Sequence, residues 1–273
     1  MALAESMNLP QFDRPPLEEV AIGVQFAPLP LRLVDVGTFH SSLAGEYPNA
    51  VDVPPLGPAF ETFATGPSPA APFPFMVNAP WRCWLLSPAN EYIVQLQPDR
   101  LLTNWRARPE GAPYPRFAEI KRRFFQAAGK LEKIINEKSG LYSRINQCEV
   151  TYFNKITIPE GMEFCDLGIV LEGAGVLGGP NKAEIFTEGT VLFSRILKEG
   201  SGSPFARLRV ELGLGFDAKG GKVWVLNLTV RGRPVAGTPP LPENFFDRAH
   251  VEIVNAFADI TSRKMQEKWG RVR

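Results

Sequence analysis

A dense run of amides and charged side chains, QLQPDRLLTNWR at residues 95–106, holds the residue types best suited to recognising a ligand. If the run forms a strand, Gln95, Gln97 and Asp99 project from one face, because side chains alternate along a strand. Its two arginines carry planar guanidinium groups whose geometry suits a carboxylate or a phosphate. We therefore interpret the run as a strip that binds a protein partner or a small ligand.

A structural interpretation of the same run is also open. Pro98 cannot donate a ladder hydrogen bond, so a bulge or a sheet edge is expected there. Asp99 and Arg100 would then form a turn, and Trp105 would be a structural residue of a solvated strand. The density of amides and charges is unusual for a strand that is merely solvated, which favours binding.

Acid–base chemistry has one candidate pair among the two histidines of the chain. His250 follows Asp247 by three residues on a predicted helix, so the two side chains can touch and could form a general base with its orienting carboxylate. No serine or cysteine elbow such as GxSxG accompanies the pair, and a buried, hydrogen-bonded His–Asp pair is the alternative. No His, Cys or carboxylate cluster has metal-ligand spacing, so neither a metal nor a cofactor is expected.

A second candidate site consists of arginines in the second half of the chain. Arg207 and Arg209 share one face of a predicted strand, and Arg231 lies on the next strand. If these strands pair, a basic patch forms that could bind phosphate or an acidic partner. Mixed charge on a solvated antiparallel face is the alternative, and no aromatic-studded basic motif indicates sequence-specific binding of nucleic acid.

The letters GxGxxG occur at residues 173–178. A dinucleotide fingerprint requires a helix that begins at these glycines and holds the pyrophosphate at its N-terminus. Here Gly179, Pro180 and Asn181 follow at once and would break a helix. The segment is interpreted as a loop.

Composition excludes several classes of protein. A net charge of +1 over 273 residues gives no global attraction to nucleic acid or to an anionic membrane. Three cysteines, an odd number without a CxxC pair, are typical of a reducing compartment. The sequence shows neither a signal-peptide pattern nor an apolar run of the roughly 18 residues that a membrane span requires. These features predict a cytoplasmic protein with no membrane partner.

Hydrophobic periodicity predicts an α+β protein with antiparallel strands. Helices are predicted at residues 34–47 (short), 116–138 and 244–269, the last with Arg263, Lys264 and Lys268 near its end. Strands are predicted at residues 17–26, 60–64, 81–86, 91–97, 147–158, 189–198, 205–216 and 222–231.

Four stretches of the first half recur in the second at an offset of about 130 residues. The matched stretches are 17–26 with 147–156, 60–64 with 191–195, 92–94 with 223–225, and the helices that open at Phe117 and near Phe246. This recurrence predicts a lead-in (1–16) and two tandem β-(α)-β-β-β-α repeats (17–140 and 141–273), related by a pseudo-twofold axis in one unit. Each antiparallel sheet would pack against a long helix. The two repeats could form one continuous sheet or two facing sheets, and the sequence does not distinguish these arrangements.

Four segments carry a resemblance: PPLEEV at 15–20, QLQPDRLLTNWR at 95–106, YPRFAEIKRRF at 114–124 and FFDRAHVEIVNAF…W at 245–269. Together they resemble a sporadically distributed prokaryotic family of uncharacterised proteins, over nearly the whole chain. The NWR and YPR segments are the most specific. The resemblance implies a prokaryotic, soluble protein of this size and carries over no activity, cofactor or catalytic residue.

The function predicted from these observations is that of a non-catalytic binding or assembly protein with a protein partner or small ligand. Its candidate binding residues are Gln95, Gln97, Asp99, Arg100, Asn104, Trp105, Arg106, Tyr114 and Arg116. One alternative is an enzyme that uses His250 and Asp247 in a groove between sheet and helix. Another is an anion or nucleic-acid binder that uses Arg207, Arg209 and Arg231. The identity of the partner and assembly as a homodimer are left open.

Overall fold

The backbone folds largely into antiparallel strands. The computed structural model describes residues 9–63, 81–135, 140–159, 161–162, 164, 166–172, 189–234 and 242–272. The strands of these residues are β1 (Leu17–Phe26), β2 (Asn49–Val53), β3 (Arg82–Leu86), β4 (Tyr92–Gln97), β5 (Arg100–Arg106), β6 (Ile145–Thr157), β7 (Thr190–Lys198), β8 (Pro204–Phe216) and β9 (Lys222–Gly232). They form one nine-stranded sheet in the order β2-β3-β4-β5-β1-β6-β9-β8-β7. A single continuous sheet is therefore the arrangement adopted.

Helices cover one face of this sheet. They are α1 (Leu33–Leu43), α2 (Phe117–Ile135), α3 (Glu243–Ile260) and the short α4 (Arg263–Lys268). Helix α2 packs on β1 and β5, whereas α3 packs on β6 and β9. Both long helices are amphipathic, and their apolar faces, with Phe124 of α2 and Phe246 of α3 in contact, are buried. The α+β class is thus confirmed.

The alternation of β1 decides which side chains meet the helices. Val20, Ile22, Val24 and Phe26 are almost completely buried in the core beneath the helices. The intervening residues therefore point to the opposite face, because successive side chains of a strand alternate. Every cross-strand partner of these intervening residues lies on that opposite face as well.

The predicted helix at residues 244–269 is two helices. Thr261 has extended backbone and ends α3, and Ser262 begins α4 as its N-cap, with its hydroxyl accepting from the Met265 amide. The Ser262 amide donates to the carbonyl of Val170, so a long-range contact holds the break. Arg263, Lys264 and Lys268 consequently belong to α4 and do not lie at the end of α3.

Two strand predictions in the first half are corrected. Residues 60–63 form no strand, and residue 64 lies outside the described residues. The edge strand of this half is instead β2, which pairs with β3. The run at residues 95–106 is a hairpin, in which Pro98 and Asp99 connect β4 to β5. Proline at this turn is tolerated because its missing N–H lies outside the ladder.

The N-terminal lead-in is attached to the end of the chain. The Asp13 amide donates to the Gly270 carbonyl at 3.1 Å, and the Arg14 amide donates to the Trp269 carbonyl at 3.0 Å. Phe12 packs edge-on against Phe257 of α3, with ring centroids 5.4 Å apart. The described lead-in therefore forms a wall beside α3.

None of the helices in the described parts of the chain combines the length and the apolar character needed to cross a bilayer.

Candidate functional site

The face of the sheet opposite the helices is polar, and one row of residues crosses its centre. Gln97 lies opposite Arg100, Arg100 opposite Gln25, and Gln25 opposite Gln147. The row therefore passes through β4, β5, β1 and β6, at right angles to the strands. Side chains of directly opposed residues are near neighbours, so these groups form a continuous polar track, which we call the amide row.

Residues 54–63, here called the strap, lie along this row. The Gln97 side chain accepts from the Leu56 amide at 3.1 Å and donates to the Leu56 carbonyl at 3.0 Å. The Gln25 side chain accepts from the Ala59 amide at 2.9 Å, and the Gln147 side chain accepts from the Glu61 amide at 3.0 Å. The amide row thus holds the strap by its backbone.

Arg100 adds a fifth backbone hydrogen bond to the strap. Its Nη2 donates to the Gly57 carbonyl at 3.0 Å and to Gln25 Oε1 at 2.6 Å. Asp99, in the turn beside it, accepts from Gln97 Nε2 at 2.5 Å. Burial lowers the pKa of the Arg100 guanidinium, and Asp99 opposes that effect. Among the predicted strip residues, Gln97, Asp99 and Arg100 therefore position or bind the strap.

The strap ends in a buried ion pair. The Glu61 side chain is fully buried, with Oε1 2.6 Å from Arg207 Nε and Oε2 2.9 Å from Arg209 Nη2. Arg207 Nη2 also donates to the Thr62 carbonyl at 3.0 Å. Two guanidinium groups around one carboxylate satisfy a buried charge that would otherwise be costly. We call Arg207 and Arg209 the arginine clamp.

The predicted basic patch is brought together in part. Arg207 and Arg209 bind Glu61, whereas Arg231 forms its ion pair with Glu149 on the neighbouring strand β6. Arg209 Nε is buried and has no hydrogen-bond partner within the described part of the chain. The clamp therefore retains a donor that the strap does not use.

The remaining strip residues form a separate network around Glu19 of β1. Arg106 Nε lies 2.6 Å from Glu19 Oε2, and Asn104 donates to the same carboxylate. Gln95 Nε2 donates to Asn104 Oδ1 at 2.6 Å, and its carbonyl oxygen accepts from Trp84 Nε1 at 3.1 Å. Gln95, Asn104 and Arg106 therefore bind other side chains of the sheet and not the strap.

Three predicted binding residues lie on the helix side of the sheet. Trp105 is buried there, because it alternates with Asn104 and Arg106, and its ring packs 5.2 Å from that of Tyr114. Tyr114 and Arg116 line a cavity of about 200 Å³. The sheet therefore separates these three residues from the strap-binding part of the strip, and their role in binding stays a prediction.

The cavity lies between the lead-in, the start of α2, α3 and strands β6 and β9. Three of its polar groups form a hydrogen-bonded series: the Tyr114 and Tyr152 hydroxyls are 3.2 Å apart, and the Tyr152 hydroxyl is 2.7 Å from His250 Nδ1. The His250 ring stacks on Phe117, with ring centroids 4.3 Å apart. Most of the remaining lining is apolar, including Ile253 and Phe257 of α3.

Burial keeps the side chains of Tyr114, Tyr152 and His250 uncharged. It lowers the pKa of His250 to about 4, with a smaller contribution from Lys121, and raises the pKa of Tyr114 to about 12. The pKa of Tyr152 is also raised by burial. Near pH 7 the cavity therefore presents two phenols and a neutral imidazole, each able to donate or accept a hydrogen bond.

The predicted pairing of His250 with Asp247 is wrong. Asp247 Oδ1 lies 2.7 Å from Lys121 Nζ of α2, whereas the His250 ring turns inwards to Tyr152. The two residues sit one turn apart on α3, but the helix directs the first towards α2 and the second towards the sheet. Asp247 therefore does not orient His250 as a general base.

The described residues contain no group of three or more His, Cys, Asp or Glu residues arranged to hold a metal ion. The GxGxxG letters at residues 173–178 lie outside the described residues. Comparisons with protein families, with curated proteins and with solved structures gave no match.

Sequence reasoning missed the strap contacts, namely Gln25, Gln147 and Glu61. The sequence carries one signal for an amide, Gln25, and one for the acidic residue, Glu61. Gln25 interrupts an apolar strand just before Phe26, and Glu61 is the one acidic residue between Asp52 and Glu91. A lone acid in a proline-rich stretch of that length marks a residue that a cation could bind.

Proposed function

We propose that this chain is a non-catalytic binding protein whose polar sheet face recognises an extended polypeptide segment that carries a carboxylate. The proposal rests on one observation: the strap is held as such a ligand would be. Backbone groups of Leu56, Ala59 and Glu61 bond to the amide row, and the Glu61 carboxylate enters the arginine clamp.

The backbone hydrogen bonds and the carboxylate ion pair would have different roles in recognition. Hydrogen bonds to a ligand's main chain supply affinity for extended backbone, and pockets for particular side chains supply specificity. The amide row would supply the first and the arginine clamp the second. A carboxylate in the clamp would form charge-assisted hydrogen bonds, which are roughly twice as strong as neutral ones. The unused Arg209 Nε adds a further donor for a ligand.

The strap would then be an internal competitor for the partner. A segment tethered in the same chain faces its site at an effective concentration in the millimolar range. A free peptide of equal intrinsic affinity would therefore be excluded until the strap is released. Binding of the partner would require either a tighter segment or a change that weakens the hold on Glu61.

A peptide-binding experiment tests this proposal. The probe is a fluorescein-labelled peptide of residues 54–63, PPLGPAFETF, and the control probe is the same peptide with glutamine in place of glutamate. Because its own strap is weakened, the Glu61→Gln protein should bind the glutamate peptide about tenfold more tightly than the wild-type chain does. The glutamine peptide should bind weakly to both proteins.

Arg207→Met in the Glu61→Gln background is the matched variant, and it should abolish the preference for the glutamate peptide. Arg122→Gln, an exposed change on α2, is the control and should have no effect on anisotropy titrations. Equal binding of the two peptides by the Glu61→Gln protein would refute recognition through the clamp.

The alternative role in nucleic-acid binding receives no support from the predicted arginines. Arg207 and Arg209 are both bound to Glu61, and Arg231 is paired with Glu149. A chain that binds DNA or RNA needs cations directed at phosphates. The prokaryotic family resemblance and the cytoplasmic location remain predictions.

We also propose that the scaffold arose by tandem duplication, with a pseudo-twofold axis near the β1–β6 pair. In support, the two central strands are followed outwards by β5, β4 and β3 on one side and by β9, β8 and β7 on the other. Ala21 lies opposite Thr151, which matches the offset of about 130 residues. The offset matched residues 92–94 with 223–225. However, β4 lies two strands from β1, whereas β9 is adjacent to β6. These two stretches are therefore not equivalent under the pseudo-twofold axis.

A further inference from the structure

The cavity on the helix side of the sheet has the size and walls of a small-molecule site. Its volume of about 200 Å³ exceeds that of engineered apolar cavities of roughly 150 Å³ that bind benzene. Leu17, Leu228, Ile253 and Phe257 supply aliphatic and aromatic surface. Sites for small ligands are typically concave and apolar, with a few placed polar groups.

The polar groups of the cavity can face an acceptor on a ligand. A neutral imidazole carries its proton on either nitrogen, so the chain from His250 through Tyr152 to Tyr114 can run in either direction. When His250 Nδ1 donates to Tyr152, Tyr152 donates to Tyr114. The Tyr114 hydroxyl is then free to donate to a ligand oxygen.

The charge of the lining favours an anion. Among the described residues that line the cavity, Arg116 is the one with a formal charge, and none has a carboxylate. Arg116 forms no ion pair with any described residue. Its backbone has a φ of 74°, a left-handed conformation that a residue other than glycine adopts at a cost. Arg116 is an exposed cation at the cavity, and its positive charge opposes the effect of burial on the pKa of the Tyr114 hydroxyl.

We propose that the cavity binds a small carboxylic acid with an aromatic body. Its carboxylate lies between Arg116 and the Tyr114 hydroxyl, and its ring lies against Ile253, Phe257 and Leu228. The site is on the opposite side of the sheet from the strap, so it is independent of the peptide-binding proposal. Cyclic aliphatic acids of similar size share the same chemistry and are secondary ligands.

Ligand-observed fluorine NMR with 4-fluorophenylacetate tests the proposal, and 4-fluorophenylacetamide is the matched neutral probe. The acid should bind the full chain more tightly than the amide does. Arg116→Gly retains the left-handed backbone, because glycine adopts it freely, and removes the cation. This variant should weaken the acid about tenfold and change the amide by less than about twofold.

Two further variants make the outcome decisive. Tyr114→Phe should weaken the acid, and Ile253→Trp should fill the cavity and abolish binding of both probes. Arg122→Gln, an exposed change on α2 that is not part of the cavity lining, should leave both affinities unchanged. Absence of acid binding to the wild-type chain, equal affinity for acid and amide, or an unchanged acid affinity in Arg116→Gly would each overturn the proposal.

Discussion

A single carboxylate decides how the strap meets the sheet. Glu61 is fully buried, and its ion pairs join residues that are 146 and 148 positions away in the chain. A buried charge is tolerated when its partners are arranged around it, and removal of one partner leaves the other uncompensated. The ion pairs of Glu61 therefore fix one position of the strap on the sheet. Hydrogen bonds from the strap backbone alone would not select that position.

His250 illustrates the opposite case of a titratable residue kept neutral. Its ring is stacked on Phe117 and bonded to Tyr152, and Lys121 on the neighbouring helix disfavours a second positive charge. The residue that the sequence marked for acid–base chemistry is thus adapted to a hydrogen-bonding role at neutral pH.

We expect His250 to make stability depend on pH. Its folded-state pKa of about 4 lies below the ordinary value of 6.5. Between these values the unfolded chain binds a proton that the folded chain does not, so the free energy of unfolding falls as the pH drops from 6.5 towards 4. The contribution of this residue should be up to about 3 kcal/mol.

Urea unfolding at pH 7 and pH 4.5 measures this effect. His250→Asn keeps a polar group beside Tyr152 but cannot titrate, so its stability should fall less than that of the wild-type chain over the same interval. The same loss in both proteins would show that His250 does not titrate in this window.

At the scale of elements, the β4–β5 hairpin divides the predicted strip into two parts. The turn at Pro98 and Asp99 reverses the chain, so Gln97 and Arg100 become neighbours at one end of the hairpin. Gln95 and Asn104 lie further along it and join the Glu19 network. Within this run of twelve residues, the residues next to the turn therefore bind the strap, and the residues farther from the turn bind other side chains of the sheet.

Two glycines in different elements should respond oppositely to alanine. A Cβ at Gly232 of β9 would lie 2.1 Å from the Phe205 carbonyl oxygen, whereas a Cβ at Gly129 of α2 would meet nothing within 4 Å. Gly232→Ala should force β8 and β9 apart and lower the free energy of unfolding by about 1–3 kcal/mol. Gly129→Ala should raise it by about 0.5–1 kcal/mol, because alanine favours a helix interior.

Thermal and urea unfolding of the two variants, measured side by side, checks this pair. Each acts as the control for the other, since both exchange the same two residue types. Stabilisation by Gly232→Ala would show that the strands do not approach as closely there as the backbone indicates.

On the scale of the whole molecule, the sheet separates two surfaces of different chemistry. One face holds the strap through amides and a buried ion pair, and the other encloses the cavity beneath α3 and the lead-in. The strands that join the two halves, β1 and β6, contribute to both faces: Gln25 and Gln147 to the first, Leu17 and Tyr152 to the second.

The continuous sheet leads us to expect one cooperative unit. Ile22 is fully buried on β1 and lies opposite Val150 of β6, at the junction of the two halves. Ile22→Ala should cost about 2–5 kcal/mol, as removal of a large core side chain does. Hydrogen exchange should report the same loss of protection in β4 and in β8. Loss confined to β4 would mean that residues 17–140 unfold as a separate domain.

Hydrophobic periodicity predicts the kinds of element and most of their places from the amino-acid sequence. Helix α2 and strands β1, β6, β8 and β9 follow from periodicity, since apolar side chains at steps of three and four, or at every second position, can be buried only by a helix or a strand. The two long helices and the antiparallel class followed from the same local physics.

Which chemical groups meet depends on the tertiary fold. Nothing near Glu61 in sequence indicates Arg207, nothing near His250 indicates Tyr152, and the break before Ser262 depends on Val170. The physical reason is that a local pattern registers whether a residue is buried, whereas the partner of a buried polar group is set by strand order and register across the whole sheet.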